Sequence, residues 1–583
     1  MSNSSQSAAT AADLFARAVQ AYQAGDHPAA VQLAQNLLQQ YGAHAGALYL
    51  VGGAALDDNR PEEALTYLDR AAHLDDRNPD IQRALGNAQM QLEHWAEAAP
   101  CFDRALRTYP GDSGLLNNLG ICCKELGKVD AAVECYRKAL SRSPRDAHIY
   151  NNLGIALDKQ RKADAAIEAY RQSLALDARN PAVWSNLAVL LEQANRTEEA
   201  AAAADAGLTL APAHPALNAT VAKLLRRQGD SAAAVGRLEP ILSRPELPAG
   251  TRRDMLFELG YNYDTLGDTP AAYRCFDEAN HLSLEAQPWL ADTARAYLHE
   301  LDSLLELFTA DWVKTWIAKT RAAQRAMNEP PVAFLVGFLR AGTTLMDTLL
   351  GTRRGLAVLE EEPCLENTLN RLRAAQPAYP AALAGLAPAA WQTLRSDYWQ
   401  AVHACLGTTA APALILDKHP LMSAQAGYVH ALLPAAAFVF ALRHPCDVVL
   451  SCFMQSFNGS SITGNFLDLE SSTQIYRRVM ELWLRYREIL ELDVYELRYE
   501  RLVIDPNREL SAACAFLGLD AAASRPDRER PPGARARVYT PSYAQIVQPV
   551  NARAVDRWQR YREYFGASLD TLHPWVKRFG YSL

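Results

Sequence analysis

The sequence predicts a protein of two parts, an α-helical repeat solenoid followed by an α/β domain with a parallel sheet. Small and apolar residues recur every 34 residues through the first half of the 583-residue chain, as they do in stacked helical hairpins. From Val332 onward, short apolar runs alternate with helical stretches, which is the pattern of an α/β sheet. Pro330 and Pro331 separate the two patterns, because two prolines stop a helix.

The repeat is defined by a leucine followed by a small residue, in constant phase. These pairs fall at Leu85-Gly86, Leu119-Gly120, Leu153-Gly154 and Leu187-Ala188. The series of small residues extends to Gly52 and Ala222, and an alanine lies twelve positions after each of its six members, at Ala64, Ala98, Ala132, Ala166, Ala200 and Ala234. Small residues at both points let the two helices of a hairpin approach closely. This period is typical of tetratricopeptide repeats, and we assign about eight of them to residues 10–282.

Residues 283–329 are predicted to form a helical cap and connector, because the stretch LHELDSLLELFTADWVKTWIAKT is helical in pattern. A repeat solenoid offers a concave groove suited to an extended peptide. The same surface also serves self-association in such arrays. A peptide or protein partner and a homodimer both stay open as roles for the first half.

Composition excludes several classes of protein. The formal net charge of −8 argues against nucleic acid as a main partner, since binding a phosphate backbone needs a basic surface. The first residues, MSNSSQSAATAADLF, have neither the basic nor the apolar region of a signal peptide, and the sequence has no apolar run long enough to span a bilayer, so we expect a cytoplasmic protein without a membrane span. The ten cysteines have no CxxC pair and no framework spacing, which predicts buried thiols and no metal site.

Five apolar runs in the second half are the predicted strands. They are VAFLVGF, GLAVL, ALILDK, AFVFALR and DVYELRYE. Each of them ends at or beside a charged or glycine-bounded segment that can do chemistry. Ligands of parallel sheets bind at the carboxyl ends of the strands, so these segments are expected to form one site.

The first run continues into a loop that is predicted to bind phosphate. Gly337 and Gly342 have the five-residue stride of a P-loop, whose glycines let backbone N–H groups approach an anion at a helix N-terminus. The lysine that a nucleotide triphosphatase needs after the second glycine is replaced by Thr343, and the cation, Arg340, comes before it. The loop therefore predicts a phosphate cradle and argues against a P-loop kinase.

The run RAGTTL at 340–345 resembles the 5′-phosphosulfate loop of sulfotransferases, which use 3′-phosphoadenosine 5′-phosphosulfate (PAPS). Their usual loop is PRSGTTL, from which Leu339 and Ala341 depart. The resemblance covers residues 330–583 and is closest to the tyrosylprotein branch of the family. It implies a donor site made of Arg340, Ala341, Gly342, Thr343, Thr344, Leu345, Arg443, Ser451, Tyr499 and Arg557.

Arg443 and Ser451 are eight residues apart, as in the 3′-phosphate site of sulfotransferases. An arginine at a strand end and a serine on the following helix can converge on one phosphate, the first with charge and the second with a neutral donor. Tyr499 is expected on the adenosine side and Arg557 at a donor phosphate, both by resemblance.

The same resemblance implies the catalytic residues Glu361, Lys418, Arg340 and Ser542. Glu361 would take the proton of the acceptor hydroxyl, and Lys418 would stabilise the charge that develops on the leaving phosphate. Ser542 would donate to the transferring group. Glu360 and His419 stay open as alternative bases.

These features predict a sulfotransferase that needs PAPS and no metal. The expected acceptor is a protein or peptide tyrosine recruited by the repeats. Two alternatives stay open. One is a carbohydrate or small-molecule sulfotransferase whose repeats serve oligomerisation, and the other is a non-catalytic scaffold with a nucleotide-sensing domain.

Overall fold

The chain folds into two compact units, Met1–Leu217 and Asn218–Leu583. The computed structural model describes residues 2–324, 330–407, 412–457, 459–522 and 552–583. None of the helices within these ranges is long and apolar enough to cross a membrane.

The first unit consists of helical hairpins, as the 34-residue period predicts. Its helices are α1 (Ser2–Gln23), α2 (His27–Tyr41), α3 (Ala45–Asp57), α4 (Pro61–Leu74), α5 (Pro79–Gln91), α6 (Trp95–Thr108), α7 (Ser113–Glu125), α8 (Val129–Arg142), α9 (Ala147–Lys159), α10 (Ala163–Leu176), α11 (Pro181–Gln193) and α12 (Thr197–Leu210). Each odd-numbered helix packs against the even-numbered helix that follows it. The repeat solenoid predicted for this half is confirmed.

Local sequence sets where the first helix of a hairpin begins. The Asp112 carboxylate accepts the backbone N–H of Leu115 at 2.9 Å and so caps α7. Asn78 and Asn180 cap α5 and α11 in the same way, each followed by a proline in the first turn. Such caps satisfy backbone donors that the helix itself leaves without partners.

The glycines of the repeat are required for close helix packing. A Cβ on Gly120 would lie 2.6 Å from the Tyr136 ring, and one on Gly154 would lie 2.6 Å from the Tyr170 ring. In each case the ring belongs to the second helix of the same hairpin. Since real Cβ contacts are longer than this, any larger residue would push the two helices apart.

The second unit begins with further helices of the repeat pattern and then continues into the connector. Helix α13 (Pro215–Gln228) begins three residues before this unit, and the next helices are α14 (Ser231–Leu242), α15 (Ala249–Leu266), α16 (Thr269–Ala286), α17 (Trp289–Leu307) and α18 (Ala310–Gln324). Helices α15 and α16 pair as a hairpin. Helices α17 and α18 occupy the segment predicted as the connector.

A five-stranded parallel sheet follows, as predicted. Its strands are β1 (Val332–Gly337), β2 (Leu356–Glu360), β3 (Leu414–Lys418), β4 (Ala437–Leu442) and β5 (Val494–Arg498), in the order β2-β3-β1-β4-β5. The central strand β1 is buried along its whole length, and its residue Phe334 pairs with Asp417 and Phe438 on either side. All five predicted strands are confirmed.

Helices connect the strands and cover the sheet. They are α19 (Thr343–Gly351), α20 (Cys364–Arg373), α21 (Ala382–Gly385), α22 (Pro388–Leu406), α23 (Ala426–Leu432), α24 (Pro445–Phe453), α25 (Leu469–Leu490), α26 (Tyr499–Ile504), α27 (Pro506–Phe516) and α28 (Ser568–Arg578), with 3-10 turns at Pro420–Gln425, Thr463–Phe466 and Arg557–Phe565. From β1 the chain first adds strands on one side of the sheet (β2 and β3) and then on the other side (β4 and β5). Ligands of α/β sheets bind at such a switch point, beside the carboxyl end of β1.

One continuous apolar core joins the repeat helices of the second unit to its sheet. Trp316 of α18 lies 6.3 Å, ring to ring, from Trp391 of α22. Phe308 packs edge-on against Tyr486 of α25 at 4.5 Å. The helices that precede the sheet are therefore part of its packing.

Candidate active site

Several of the predicted site residues lie at one edge of the sheet, at the carboxyl ends of its strands. Lys418, the last residue of β3, pairs in register with Glu360, the last residue of β2. Arg443 follows directly after β4, and Tyr499 directly after β5. Because all strands run parallel, segments far apart in the sequence meet at their carboxyl ends.

The loop between β1 and α19 is shaped for close approach by an anion. A Cβ on Gly337 would lie 2.5 Å from the carbonyl oxygen of Ala441. Gly342 has a φ of 99°, and a Cβ there would lie 2.5 Å from the Tyr499 ring. Helix α19 then begins at Thr343 without a side-chain cap, so its first N–H groups face the loop. Only glycine fits the two ends of this loop.

The other residues of the predicted donor loop line the start of α19. Ala341 is buried, and its N–H donates to the carbonyl oxygen of Phe338 at 3.2 Å. Thr343 and Thr344 are buried as well, while Leu345 is half-buried against the core. The threonines add hydroxyl groups to the backbone donors at this helix end.

Arg340, Arg443 and Ser451 lie together beside the loop. Arg340 has a φ of 67°, a left-handed conformation that is uncommon for a residue with a side chain. Its Nε donates to Ser451 Oγ at 3.1 Å, and Arg443 Nη1 donates to the backbone carbonyl of Arg340 at 3.0 Å. The three residues thus form one hydrogen-bonded group, built from the loop, the end of β4 and α24.

Arg443 is fixed on several sides but keeps one donor without a partner. It is 6% exposed, its Nη2 donates to the carbonyl oxygen of Ala554 at 2.5 Å, and its guanidinium lies 4.7 Å from the Tyr499 ring centre. Its Nε is buried and has no hydrogen-bond partner among the described residues. A buried donor of this kind costs about 1–3 kcal/mol, which an anionic oxygen would recover. The arginine therefore fits a phosphate group of a bound donor.

The electrostatics of this corner also favour an anion. Burial lowers the pKa of Arg340, and the positive charges of Arg443 and Arg557 act in the same direction. Tyr261 of α15 has the opposite effect and raises the pKa of Arg340. Guanidinium groups this close are stabilised when a phosphate sits among them.

Lys418 is held between two carboxylates. Its side chain is fully buried, and Nζ lies 2.8 Å from Glu361 Oε1 and 3.3 Å from Asp347 Oδ2. Burial lowers the pKa of Lys418, but the carboxylates of Asp347 and Glu361 raise it more, so its net pKa is raised. The lysine is therefore a fixed, permanent cation beside the loop, available to a developing negative charge.

Three groups at this edge are candidate bases. Glu361, with a φ of 52°, donates its N–H to the Lys418 carbonyl at 2.9 Å, and its side chain is 39% exposed. The carboxylate is thus accessible to a substrate and in contact with the lysine. Glu360 ends β2 next to it. Burial lowers the pKa of His419, whose Nδ1 has no hydrogen-bond partner among the described residues, so a neutral imidazole is available as well.

Arg557 is positioned by an acidic residue of a repeat helix. Its Nη2 lies 2.7 Å from Asp264 Oδ2, and Asp264 of α15 also accepts from Arg560 and Tyr561 at 2.9 and 2.8 Å. Asp447 of α24 holds the same segment from the other side, because its carboxylate accepts the N–H of Trp558 at 2.9 Å. The predicted donor-site arginine is thus bound to α15.

Two models of known protein families match the chain, one in each half. Residues 331–523 match a model of the sulfotransferase family. Residues 7–79, 83–147, 124–181 and 151–215 match a model of the tetratricopeptide repeat. The chain carries a sulfotransferase-family domain behind a tetratricopeptide array. The loop, the arginine group and Lys418 all lie within the matched part of the sulfotransferase domain.

Two curated proteins resemble longer parts of the chain. An uncharacterized protein of Aquifex aeolicus (strain VF5) is 24% identical over 361 residues, which cover 58% of this chain and 44% of that protein. A protein-tyrosine sulfotransferase of Drosophila melanogaster is 26% identical over 247 residues, which cover 40% of this chain and 47% of that protein. The chain therefore spans less than half the length of either relative.

Two solved structures illustrate which part of the chain has known structural relatives. MamA from Desulfovibrio magneticus RS-1 is 23% identical, with a TM-score of 0.28. The match covers 28% of this chain and 94% of the MamA chain. YrrB, described as a TPR protein with an unusual peptide-binding site, is 20% identical, with a TM-score of 0.29. The match covers 32% of this chain and 95% of the YrrB chain.

One predicted residue cannot be placed, and three aspartates near the candidate site were not predicted. Ser542 lies outside the described residues, within 523–551. Asp347, Asp264 and Asp447 were not among the residues that sequence reasoning selected. Asp347 could have been found, since it lies four residues after Thr343 and hence on the same face of α19.

Asp417 is a buried carboxyl group next to the candidate site, and its raised pKa can be tested. Strand alternation turns it away from Lys418, and Tyr398 OH donates to its Oδ2 at 3.1 Å in a buried environment. Burial raises the pKa of Asp417 to about 7, so the folded protein keeps a proton that the unfolded chain loses in the window from about pH 4 to 7. The free energy by which Asp417 destabilises the folded protein therefore grows as pH rises through that window.

We expect Asp417→Asn to stabilise the protein by about 3 kcal/mol at pH 8 and by little at pH 4, since roughly three pKa units correspond to about 4 kcal/mol at most. Urea unfolding of both proteins at the two pH values measures this. Asp520→Asn, at an exposed position, serves as control. A pH-independent difference would contradict the raised pKa.

Proposed function

We propose that the protein transfers a sulfuryl group from PAPS to a hydroxyl acceptor, and that this acceptor is a tyrosine of a protein or peptide. The observation that carries this proposal is the contact of Lys418 with Glu361, 2.8 Å apart at the edge where the phosphate loop lies. A base and a cation side by side suit a reaction in which one oxygen loses a proton while another gains charge.

One set of residues binds the donor, and another carries out the transfer. Arg443 and Ser451 bind the 3′-phosphate of the donor, and Tyr499, stacked on Arg443 at 4.7 Å, orients the adenosine side. The backbone of the loop after Gly337, with Arg340, binds the 5′-phosphosulfate. PAPS supplies the activated sulfuryl group when bound.

Glu361 takes the proton of the acceptor hydroxyl, and its exposed fraction lets that hydroxyl reach it. Lys418 stabilises the negative charge on the bridging oxygen of the departing phosphate. Asp347 also contacts the Lys418 ammonium, at 3.3 Å, and helps to hold it in place. The rate enhancement then depends on positioning and electrostatics, as in phosphoryl transfer.

Two findings support a protein acceptor. The Drosophila relative is a protein-tyrosine sulfotransferase, and its match covers 40% of this chain. The tetratricopeptide array, a family of repeats that binds peptides in its groove, precedes the sulfotransferase domain in the same chain.

The donor site is tested by calorimetric titration of the full chain with 3′-phosphoadenosine 5′-phosphate (PAP), the expected product. We expect tight binding of PAP and little response to ATP. Arg443→Ala should weaken PAP binding by about 30- to 100-fold, because hydrogen bonds to a charged group contribute about 1.5–3 kcal/mol. Arg508→Ala, at an exposed arginine of the same domain, should leave the affinity unchanged.

Failure of the wild-type chain to bind PAP would contradict the proposed donor. If PAP binds, labelled sulfate transfer from PAPS to a tyrosine peptide is compared with transfer to the same peptide carrying phenylalanine. Transfer to the tyrosine peptide alone supports a tyrosine acceptor, and transfer to a monosaccharide or phenol instead assigns a small-molecule acceptor. Binding of PAP without any transfer assigns a nucleotide-sensing domain.

A further inference from the structure

Two cysteines of the second unit lie in contact near the candidate site. Cys364 is the first residue of α20, and Cys405 lies in the last turn of α22. Their Sγ atoms are 3.8 Å apart, and both residues are free thiols. A disulfide bond is about 2.05 Å long, so an approach of about 1.8 Å would join the two sulfurs. We call Cys364 and Cys405 the thiol pair.

The two members of the pair differ in their access to solvent. Cys364 is 1% exposed, whereas Cys405 is exposed, in contrast to the buried thiols that the sequence predicts. Burial raises the pKa of the Cys364 thiol, and the neighbouring Cys405 and the carboxyl group of Asp417 raise it further. Cys364 therefore stays protonated and shielded, and Cys405 is the thiol that a dissolved reagent meets first.

The end of α22 is the part that moves when the pair closes. Helices α20 and α22 pack against each other. Residues 403–405 of α22 are exposed, and the helix ends at Gly407, which has a φ of 70°. The start of α20 is anchored instead, because Leu365 and Leu369 are buried in the core. Closure of the pair thus asks for a small shift of an exposed helix end, and it leaves α20 in place.

The pair adjoins the segment that carries the candidate base. Cys364 follows Glu361 by three residues, and α20 begins there without a side-chain cap among the described residues. The same segment is held at its other end, where the Glu361 N–H donates to the Lys418 carbonyl at 2.9 Å. A covalent bond from Cys364 to α22 would therefore fix residues 361–364 at both ends.

We propose that the thiol pair is a redox modification site, at which Cys405 and Cys364 form a reversible disulfide by exchange with a small-molecule disulfide such as that of glutathione. The proposal goes beyond sulfuryl transfer and does not depend on it. Disulfides are transient in reducing compartments, and the exposed ones are the labile and regulatory ones. The site links the rigidity of the segment at Glu361 to the ratio of small-molecule disulfide to thiol.

The exchange has two steps. The Cys405 thiolate attacks one sulfur of the small disulfide, which forms a mixed disulfide on Cys405 and releases a thiolate that takes the proton of Cys405. Cys364 then attacks Cys405 Sγ, and the second small thiol leaves with the proton of Cys364. One small disulfide is thereby reduced to two thiols, and the two protein thiols are oxidised to one disulfide. An excess of small thiol reverses both steps.

The disulfide is expected to stabilise the domain that contains it. The two cysteines are 41 residues apart, so the bond closes a loop that includes α20, α21 and α22. Closing a loop of this length restricts the unfolded chain more than the folded chain. The oxidised protein should therefore unfold at a higher temperature than the reduced protein.

Mass spectrometry of the thiol state tests the site in the full chain, without donor or acceptor. The protein is equilibrated with excess glutathione disulfide, quenched in acid, alkylated with N-ethylmaleimide and digested. We expect a pair of peptides joined through Cys364 and Cys405, which dithiothreitol separates. Cys123→Ser removes a half-buried cysteine of α7 and should leave this joined pair unchanged.

Two single variants test the order of the steps. In Cys364→Ser the exposed thiol reacts but has no partner, so Cys405 should accumulate as a mixed disulfide with glutathione. The wild type should hold at least about tenfold less of this mixed disulfide, because the neighbouring thiol displaces glutathione within the molecule. In Cys405→Ser the buried Cys364 should stay unmodified.

Thermal melts of the same samples measure the effect on stability. The oxidised wild type should melt about 3–8 °C above the reduced wild type. Cys405→Ser changes an exposed residue and should melt at the same temperature in both buffers.

The proposal is overturned if the wild type accumulates the mixed disulfide without the joined peptides, because the two sulfurs then do not close. It is also overturned if neither cysteine of the pair reacts, or if the oxidised and reduced wild type melt alike. Titration of the reduced protein with PAP tests the donor site by itself, so a failure of the proposed function and a failure of the thiol pair are read out separately.

Discussion

Replacing Lys418 by methionine is expected to lower kcat by about 10²- to 10³-fold, the usual loss when one preorganised charge-stabilising donor is removed. The ammonium is fully buried between Glu361 and Asp347, at 2.8 and 3.3 Å, so no water molecule or neighbouring cation can take over its position without rearrangement. Methionine fills similar volume without charge. Single-turnover transfer of labelled sulfate from saturating PAPS to a tyrosine peptide measures the effect.

The controls separate chemistry from stability. Lys418→Met leaves two carboxylates without their cation, and Asp347 is buried, so the single variant should also unfold more easily. Adding Asp347→Asn should restore stability but not kcat. Lys577→Met, at an exposed lysine of α28, should change neither quantity. If Lys418→Met kept kcat within tenfold of the wild type, Lys418 would not be the group that stabilises the leaving oxygen.

The parts of the site that sequence could predict are those encoded by short segments. The loop at Gly337 and Gly342, the pair Arg443 and Ser451, and the lysine at the end of β3 each sit next to an apolar run that marks a strand. Since parallel strands bring their carboxyl ends together, knowing the strands was enough to expect these residues at one edge.

The parts that could not be predicted depend on contacts between distant segments. Asp264 binds Arg557 across 293 residues of sequence, and nothing in the repeat around Asp264 distinguishes it from other acidic residues on helix surfaces. The repeat period likewise identified α15 and α16 but not what covers their outer faces. The same pattern of small residues serves a hairpin that packs on another repeat and one that packs on a sheet.

A fragment that starts at residue 325 is expected not to fold, whereas one of residues 213–583 should fold and bind PAP like the full chain. Helices α15 and α16 satisfy buried groups of α24 and its C-terminal turn, because Asn280 Nδ2 donates to the Phe453 carbonyl at 3.0 Å and Tyr261 OH to the Met454 carbonyl at 2.7 Å. The Tyr273 ring stacks on Tyr564 at 4.0 Å. Circular dichroism, urea unfolding and PAP titration of both fragments measure the outcome.

The reason is that the shorter fragment exposes one side of a continuous apolar core and leaves buried carbonyls without partners. A matched point variant isolates part of this cost. Asn280→Ala in the longer fragment should destabilise it by about 1–3 kcal/mol, because the Phe453 carbonyl loses its donor. Asn36→Ala in the full chain, on the half-exposed surface of α2, should cost much less. Cooperative unfolding of the 325–583 fragment would instead mean that the sheet and its own helices bury enough surface alone, and that the repeat helices of the second unit are dispensable for donor binding.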